Sequence, residues 1–375
     1  MLSVRPRPRG LSRRGVLAAL SSVPLFGQTP SRRGQELRPE TLKYNDAATE
    51  FPLERLTNPQ YESYLPPHPC RIFGRRGDSV LVASRRSGTL QAFQIEQKRG
   101  EWRQLTEARE LDARSLSLLP DDRVLCYADG ASILISRIGG AGRDREVYRT
   151  PDGWRREPGL AISEDGLYAF VAESREDRGR LQLVGLAKGT AATIFEGKDR
   201  VMDVVPRPRR AGVMYRRSGD GGLYLTDFEG KQNYRLQLAE KGRAGTAVWA
   251  ADGRTLFYLH FPEERGKLNS IREFIPDEHT DTLVAPTTQF VAFNRNSDGT
   301  VFVGASGSKA SPHVLLVLRV TKRELTLCEH RALEPASSAP CFNPSNERVY
   351  FQSDREGKPA IYAMVVEKLV EKSEA

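Results

Sequence analysis

The sequence predicts an all-β fold, a seven-bladed β-propeller closed by an N-terminal strand. Three observations predict it. A short apolar run, a tight polar turn and a stronger apolar run recur seven times, with equivalent turn positions at 76, 121, 165, 209, 252, 298 and 345. Helical periodicity is nearly absent before the tail at 367–375. The seventh unit lacks its last strand, and a matching orphan lies at the other end of the chain.

In chain order, residues 1–28 read as a twin-arginine-type signal segment. They hold Arg5, Arg7, Arg9, Arg13 and Arg14 and no acid, and Ser12-Arg13-Arg14-Gly15-Val16-Leu17 resembles the twin-arginine export motif. The apolar run at 16–26 is too short to span a bilayer, and no other stretch reads as a transmembrane segment. A periplasmic or secreted location is expected. Residues 29–50 are polar with little periodicity and read as a linker, either free or laid on the folded body, 51–366 as the propeller and 367–375 as a C-terminal tail. The formal charge of +9 shrinks to +4 once residues 1–28 are set aside, so no nucleic-acid partner is expected.

Each turn, written Asp165-Gly166, Asp252-Gly253 or Asp298-Gly299 in its clearest copies, suits a hairpin because its central residues tolerate positive φ. Two further strand-like pieces follow in each unit. Four short strands every 40–50 residues are the mark of propeller blades. The last unit ends after Ile361-Tyr362-Ala363-Met364 with three strands. Glu54-Arg55-Leu56-Thr57 matches Arg103-Gln104-Leu105-Thr106, which ends the first unit, and is expected to supply the missing strand and hide two sheet edges. Cys70, Cys126, Cys328 and Cys341 lie far apart without zinc spacing and read as free thiols.

Several stretches resemble the oligogalacturonate lyases and, more broadly, TolB-like propellers. They are Trp249-Ala250-Ala251-Asp252-Gly253, Asn296-Ser297-Asp298-Gly299, Leu327-Cys328-Glu329-His330, Pro340-Cys341-Phe342-Asn343-Pro344 and the run at 351–362. The resemblance runs from about residue 53 to 366. It implies β-elimination on pectic oligogalacturonates, with a divalent metal polarising the carboxylate and a histidine-type base taking the proton. It also implies metal-site histidines on the inner strands of blades five to seven. Those positions hold Thr246, Ala292, Ser337 and Ala339, with Glu334 where a glutamine is expected. Thr, Ser and Ala do not replace imidazole as ligands, so no cofactor, metal ligand or catalytic residue is assigned.

The ligand-binding candidates are His68, Arg216, Arg217, Thr246, Glu334 and Ser337. His68, in Pro66-Pro67-His68-Pro69, lies eight residues before turn position 76, as Ser337 does before 345. That offset puts it near a channel mouth; the alternative is a proline-stiffened surface loop. Arg216-Arg217, like Arg75-Arg76 and Arg85-Arg86, offers guanidinium forks that suit carboxylates, though such pairs on turns are usually only solvated. His260 reads as a packing residue, His279 and His313 as solvated, and His330 as structural. The expected function is binding of an acidic oligosaccharide (uronate) or a protein partner. The alternative is a divergent oligogalacturonate lyase.

Overall fold

The computed structural model describes residues 31–139, 143–238 and 241–366. The signal segment and the tail lie outside them. From Arg33 onward the chain makes seven antiparallel sheets, the blades of a propeller. Blade 1 runs Ser63–Tyr64, Ser79–Ser84, Gln91–Glu96 and Trp102–Gln104 from the channel outward. Blade 7 runs Cys341–Phe342, Arg348–Ser353, Ala360–Val365 and then Pro52–Arg55.

The turn repeat has a backbone cause. Gly77, Asp122, Gly166, Arg209, Gly253, Gly299 and Asn346 all have positive φ, between +55° and +74°. Each follows its aligned turn position by one residue, except Arg209, which occupies it. In four blades an Asp precedes this residue and its carboxylate accepts the N–H two positions on. The pairs are Asp121–Arg123, Asp165–Leu167, Asp252–Arg254 and Asp298–Thr300, at 2.9–3.0 Å. Gly253 has a second reason to be glycine, since a Cβ there would stand 1.9 Å from the Pro208 carbonyl oxygen.

Second strands carry consecutive apolar residues because neighbouring blades cover both of their faces. Alternate residues go to opposite neighbours. Leu256 and Tyr258 pack toward blade 4, while Phe257 and Leu259 pack toward blade 6. The same apolar layering joins blade 7 to blade 1, where the Phe73 and Tyr350 rings stand 4.9 Å apart.

Ring closure follows the expected strand match. Glu54 pairs with Ala363 and Arg55 with Tyr362. Leu56 N–H then donates to the Ile361 carbonyl, and Ile361 N–H donates to Thr57 Oγ1. Blade 1 repeats both bonds with Leu105, Ala92 and Thr106.

Part of the expected linker lies on the folded body as strands. Glu36–Leu37 pairs with Trp102–Gln104, and Leu42–Asn45 pairs with Pro52–Arg55, giving blades 1 and 7 a fifth strand each. Side chains anchor the segment. Buried Asp46 meets Arg355 at 3.3 Å, and Glu40 forms an ion pair with Arg86. Arg86 lies 3.7 Å from the Trp102 ring centroid, so it is not merely solvated. A cation over an indole, with a carboxylate beside it, explains its burial.

Candidate ligand site in the central channel

Inner strands begin at one end of the channel, and there a cavity of about 390 Å³ opens. Two of these strands bulge where they meet it. The pairing of Val201–Pro206 with its neighbour shifts between Met202 and Val205, and that of Gly242–Trp249 between Ala244 and Ala247. A bulge adds an unpaired residue and re-aims a side chain. Asp203 and Thr246 sit in these bulges and both line the cavity. Asp203 has φ of +49°, a strained setting for a residue with a Cβ.

Arg216 lines the cavity with them, although only 8% of it is exposed. Its Nε donates to Asp203 at 2.8 Å, and its terminal nitrogens donate to the carbonyls of Gly221, Ala244 and Gly245. A buried guanidinium needs such complete pairing. Arg216 therefore holds the blade 5 bulge against blade 4. Neighbouring strand residues face opposite ways, and Arg217 accordingly turns from the cavity, lying 4.9 Å from the Tyr224 ring and 3.4 Å from Asp199.

His68 lines this cavity and a second one of about 280 Å³ at the other end of the inner strands. Protein surrounds it, yet its ring is open to the channel. Enclosure lowers its pKa to about 4, helped by the positive charge of Arg295. At neutral pH it is an uncharged imidazole. Glu334 and Ser337 are brought near the mouth but not into the cavity, where Ala336 stands instead. Both are exposed, and Ser337 Oγ donates to the Glu334 carbonyl at 2.7 Å in a short 3₁₀ turn. Ala292 is buried, and Ala339 lines the second cavity.

Three charged residues at the mouth were not among the sequence candidates. Arg114 projects from the 3₁₀ turn Ala113–Ser115, exposed and without a side-chain partner among the described residues. Glu157 accepts from Ser174 at 2.5 Å and from Arg155 at 3.2 Å through one oxygen. Asp203 is the third. The eight-residue offset that singled out His68 reaches Glu157 directly when applied round the ring, and falls within two residues of Arg114 and Asp203. Among the described residues no three His, Cys, Asp or Glu side chains form a group able to hold a metal ion.

The other histidines are structural or solvated. His260 is buried against the Lys241 carbonyl, His279 is exposed, and His313, half-buried, meets Ser311. His330 is fully buried, with Nε2 2.8 Å from the Ser306 carbonyl and Nδ1 accepting from Ala332 N–H. These partners fix the neutral tautomer protonated at Nε2, and burial is the main cause of its lowered pKa. The unfolded chain has an ordinary histidine pKa near 6.5. Protonation therefore favours unfolding, and His330 contributes stability above pH 6.5 that is lost as pH falls below it. His330→Gln is expected to cost about 1–3 kcal/mol at pH 7.5. It should also shrink the fall in melting temperature between pH 7.5 and 5, measured by thermal unfolding of both proteins.

No family model matches the chain. It is 21% identical over 369 residues to an oligogalacturonide lyase of Pectobacterium atrosepticum, covering 85% of this chain and 94% of that protein. To the oligogalacturonate lyase of Dickeya dadantii it is 20% identical, covering 88% and 97%. A solved oligogalacturonate lyase in complex with manganese matches 90% of this chain and 99% of its own, with a TM-score of 0.84 at 20% identity. The crystal structure of the Vibrio parahaemolyticus oligogalacturonate lyase matches the same shares, with a TM-score of 0.83 at 18% identity. The chain thus resembles the oligogalacturonate lyases in sequence and shares their propeller fold over about 90% of its length.

Proposed function

We propose that this propeller binds an acidic oligosaccharide of the uronate class at the channel mouth lined by Arg114, without metal-dependent bond cleavage. The observation that carries this reading is the open guanidinium of Arg114 in a cavity that also presents Glu157, Asp203, Thr246 and His68. Each uronate unit offers one carboxylate and several hydroxyls. A guanidinium suits the first, and carboxylates, a hydroxyl and a neutral imidazole suit the second. Pro67, Pro69 and Leu160 add apolar wall for a sugar face. Likeness to lyases named for oligogalacturonate supports the ligand class.

The divalent metal that the resemblance implies does not fit these residues. Asp203 is paired with Arg216, Glu157 is engaged by Ser174 and Arg155, and the positions expected to hold imidazoles carry Thr246, Ala292, Ser337 and Ala339. Trigalacturonate is expected to bind in calorimetric titration. Arg114→Ala should weaken it about tenfold or more, since a hydrogen bond to a charged group is worth about 1.5–3 kcal/mol, and added salt should weaken it further. Equal affinity for a neutral galactan trimer, or no change in Arg114→Ala, overturns the reading. A protein partner would leave trigalacturonate without measurable heat.

Export completes this reading, because residues 1–28 have the composition of a twin-arginine signal. Replacing Arg13 and Arg14 with Lys is expected to retain an unprocessed precursor in the cytoplasm, seen by immunoblot of cell fractions. Normal processing of that variant removes the export proposal and leaves the binding proposal standing.

A further inference from the structure

The second cavity differs from the first in its charge. At the mouth described above, two cations, Arg114 and Arg216, share the lining with two carboxylates, Glu157 and Asp203. The cavity of about 280 Å³ lies where inner strands turn into second strands, and no carboxylate lines it. Arg71 and Arg75 do. Arg71 is neutralised by Asp122 at 2.6 Å, and the other oxygen of Asp122 takes the Arg75 backbone N–H. The Arg75 guanidinium is exposed and has no side-chain partner among the described residues.

Two neighbours add to this imbalance. Arg295 donates to the carbonyls of Trp249, Asn296 and Ser297 and forms no ion pair among the described residues. Its charge is felt at His68, while Asp252 and Asp298 act on it only from a distance. Asn294, next to it, lines the cavity. Its Oδ1 accepts from Arg295 N–H at 2.9 Å, which leaves the two N–H donors of Nδ2 without an acceptor among the described residues. The His68 ring likewise has no hydrogen-bond partner there, and it forms a wall of both cavities. Ile72, Phe73 and Phe342 close the remainder with apolar surface, which limits the occupant to a small group.

We infer that this second cavity is a separate binding site for one small carboxylate, held by Arg75, with Asn294 Nδ2 and the His68 ring as further polar partners. An anion there meets the unpaired Arg75 guanidinium and donors already free of other bonds, with the Arg295 charge nearby, so little has to be broken to receive it. Its carboxylate has two sources: a free sugar acid, or the end unit of an oligosaccharide that enters past His68 from the other cavity.

The test titrates the full chain with sodium galacturonate, the monosaccharide, and with neutral galactose. Saturable binding of galacturonate but not galactose is expected. Arg75→Ala should weaken it about tenfold or more, and Asn294→Leu, which fills the cavity without touching the guanidinium, should do the same. Arg114→Ala should leave an Arg75-dependent galacturonate site in place. Absence of galacturonate binding, or binding that ignores Arg75→Ala and Asn294→Leu, overturns the inference. The trigalacturonate site at Arg114 is tested separately and can stand or fall alone. The source is read from competition. Galacturonate that still binds when trigalacturonate is saturating comes from free acid. Galacturonate displaced by trigalacturonate, together with weaker trigalacturonate binding in Arg75→Ala, points to one chain spanning both cavities.

Discussion

Removal of residues 33–57 is expected to leave no stably folded propeller. The deletion strips the outermost strands of blade 7 and the added strand of blade 1, and so bares two sheet edges. It also removes Leu53 and Leu56, both buried, each worth about 1.5–3 kcal/mol. The Asp46–Arg355 and Glu40–Arg86 pairs go with them, leaving two buried guanidiniums without a carboxylate. Together these losses match or exceed the roughly 5–15 kcal/mol by which a domain is ordinarily stable. The measurement is urea unfolding followed by near-ultraviolet circular dichroism, with the protein from residue 33 onward as reference. A milder variant isolates closure itself. Thr57→Val keeps the side-chain shape but deprives Ile361 N–H of its acceptor, and should cost about 1–3 kcal/mol. Thr106→Val, the matching change in blade 1, should cost a similar amount. An unaltered urea midpoint in the deletion would mean that the ring closes without this strand.

What was legible in the sequence was what the local chain dictates. A residue with positive φ recurs in every blade turn, and Gly, Asn or Asp fills it in six of them, so the repeat is written directly in residue types. The closing strand was legible for the same reason: Leu56-Thr57 and Leu105-Thr106 make the same two hydrogen bonds in blades 7 and 1. The strands Glu36–Leu37 and Leu42–Asn45 were not. They are short and polar, and they are held by backbone pairing and by Arg86 and Arg355, residues distant in sequence. Burial of Arg216 was hidden likewise, since its acceptors include the carbonyls of a bulge in the next blade. Bulges also blur strand register by a residue or two. This explains why the eight-residue offset reached Glu157 but stopped short of Asp203 and Thr246.

No metal-dependent elimination is expected on oligogalacturonate, measured as the ultraviolet absorbance of an unsaturated product with added manganese or calcium. The reaction removes a proton α to a carboxylate while the glycosidic bond breaks. A Lewis acid on that carboxylate is worth several kcal/mol, and each 1.36 kcal/mol is tenfold in rate. A positioned general base adds about 10²–10⁴-fold. Thr246, Ala292, Ser337 and Ala339 offer no imidazole for either task. His68 is the imidazole that does reach the channel cavities. With its pKa near 4 it is unprotonated at neutral pH, but it is a weak base there, far from the match between pKa and operating pH that proton transfer favours. A rate at least four orders of magnitude below that of a manganese-loaded oligogalacturonate lyase is the expected outcome, on the combined size of these two terms. Absorbance that rises with metal and is abolished by chelator would overturn it, and would require ligands from outside the described residues or a rearranged mouth. A slow, metal-independent rise carries a different signature. Were His68 its base, the rate would stay flat from about pH 5 to 8, because the imidazole is already deprotonated across that range, and it would vanish in His68→Ala.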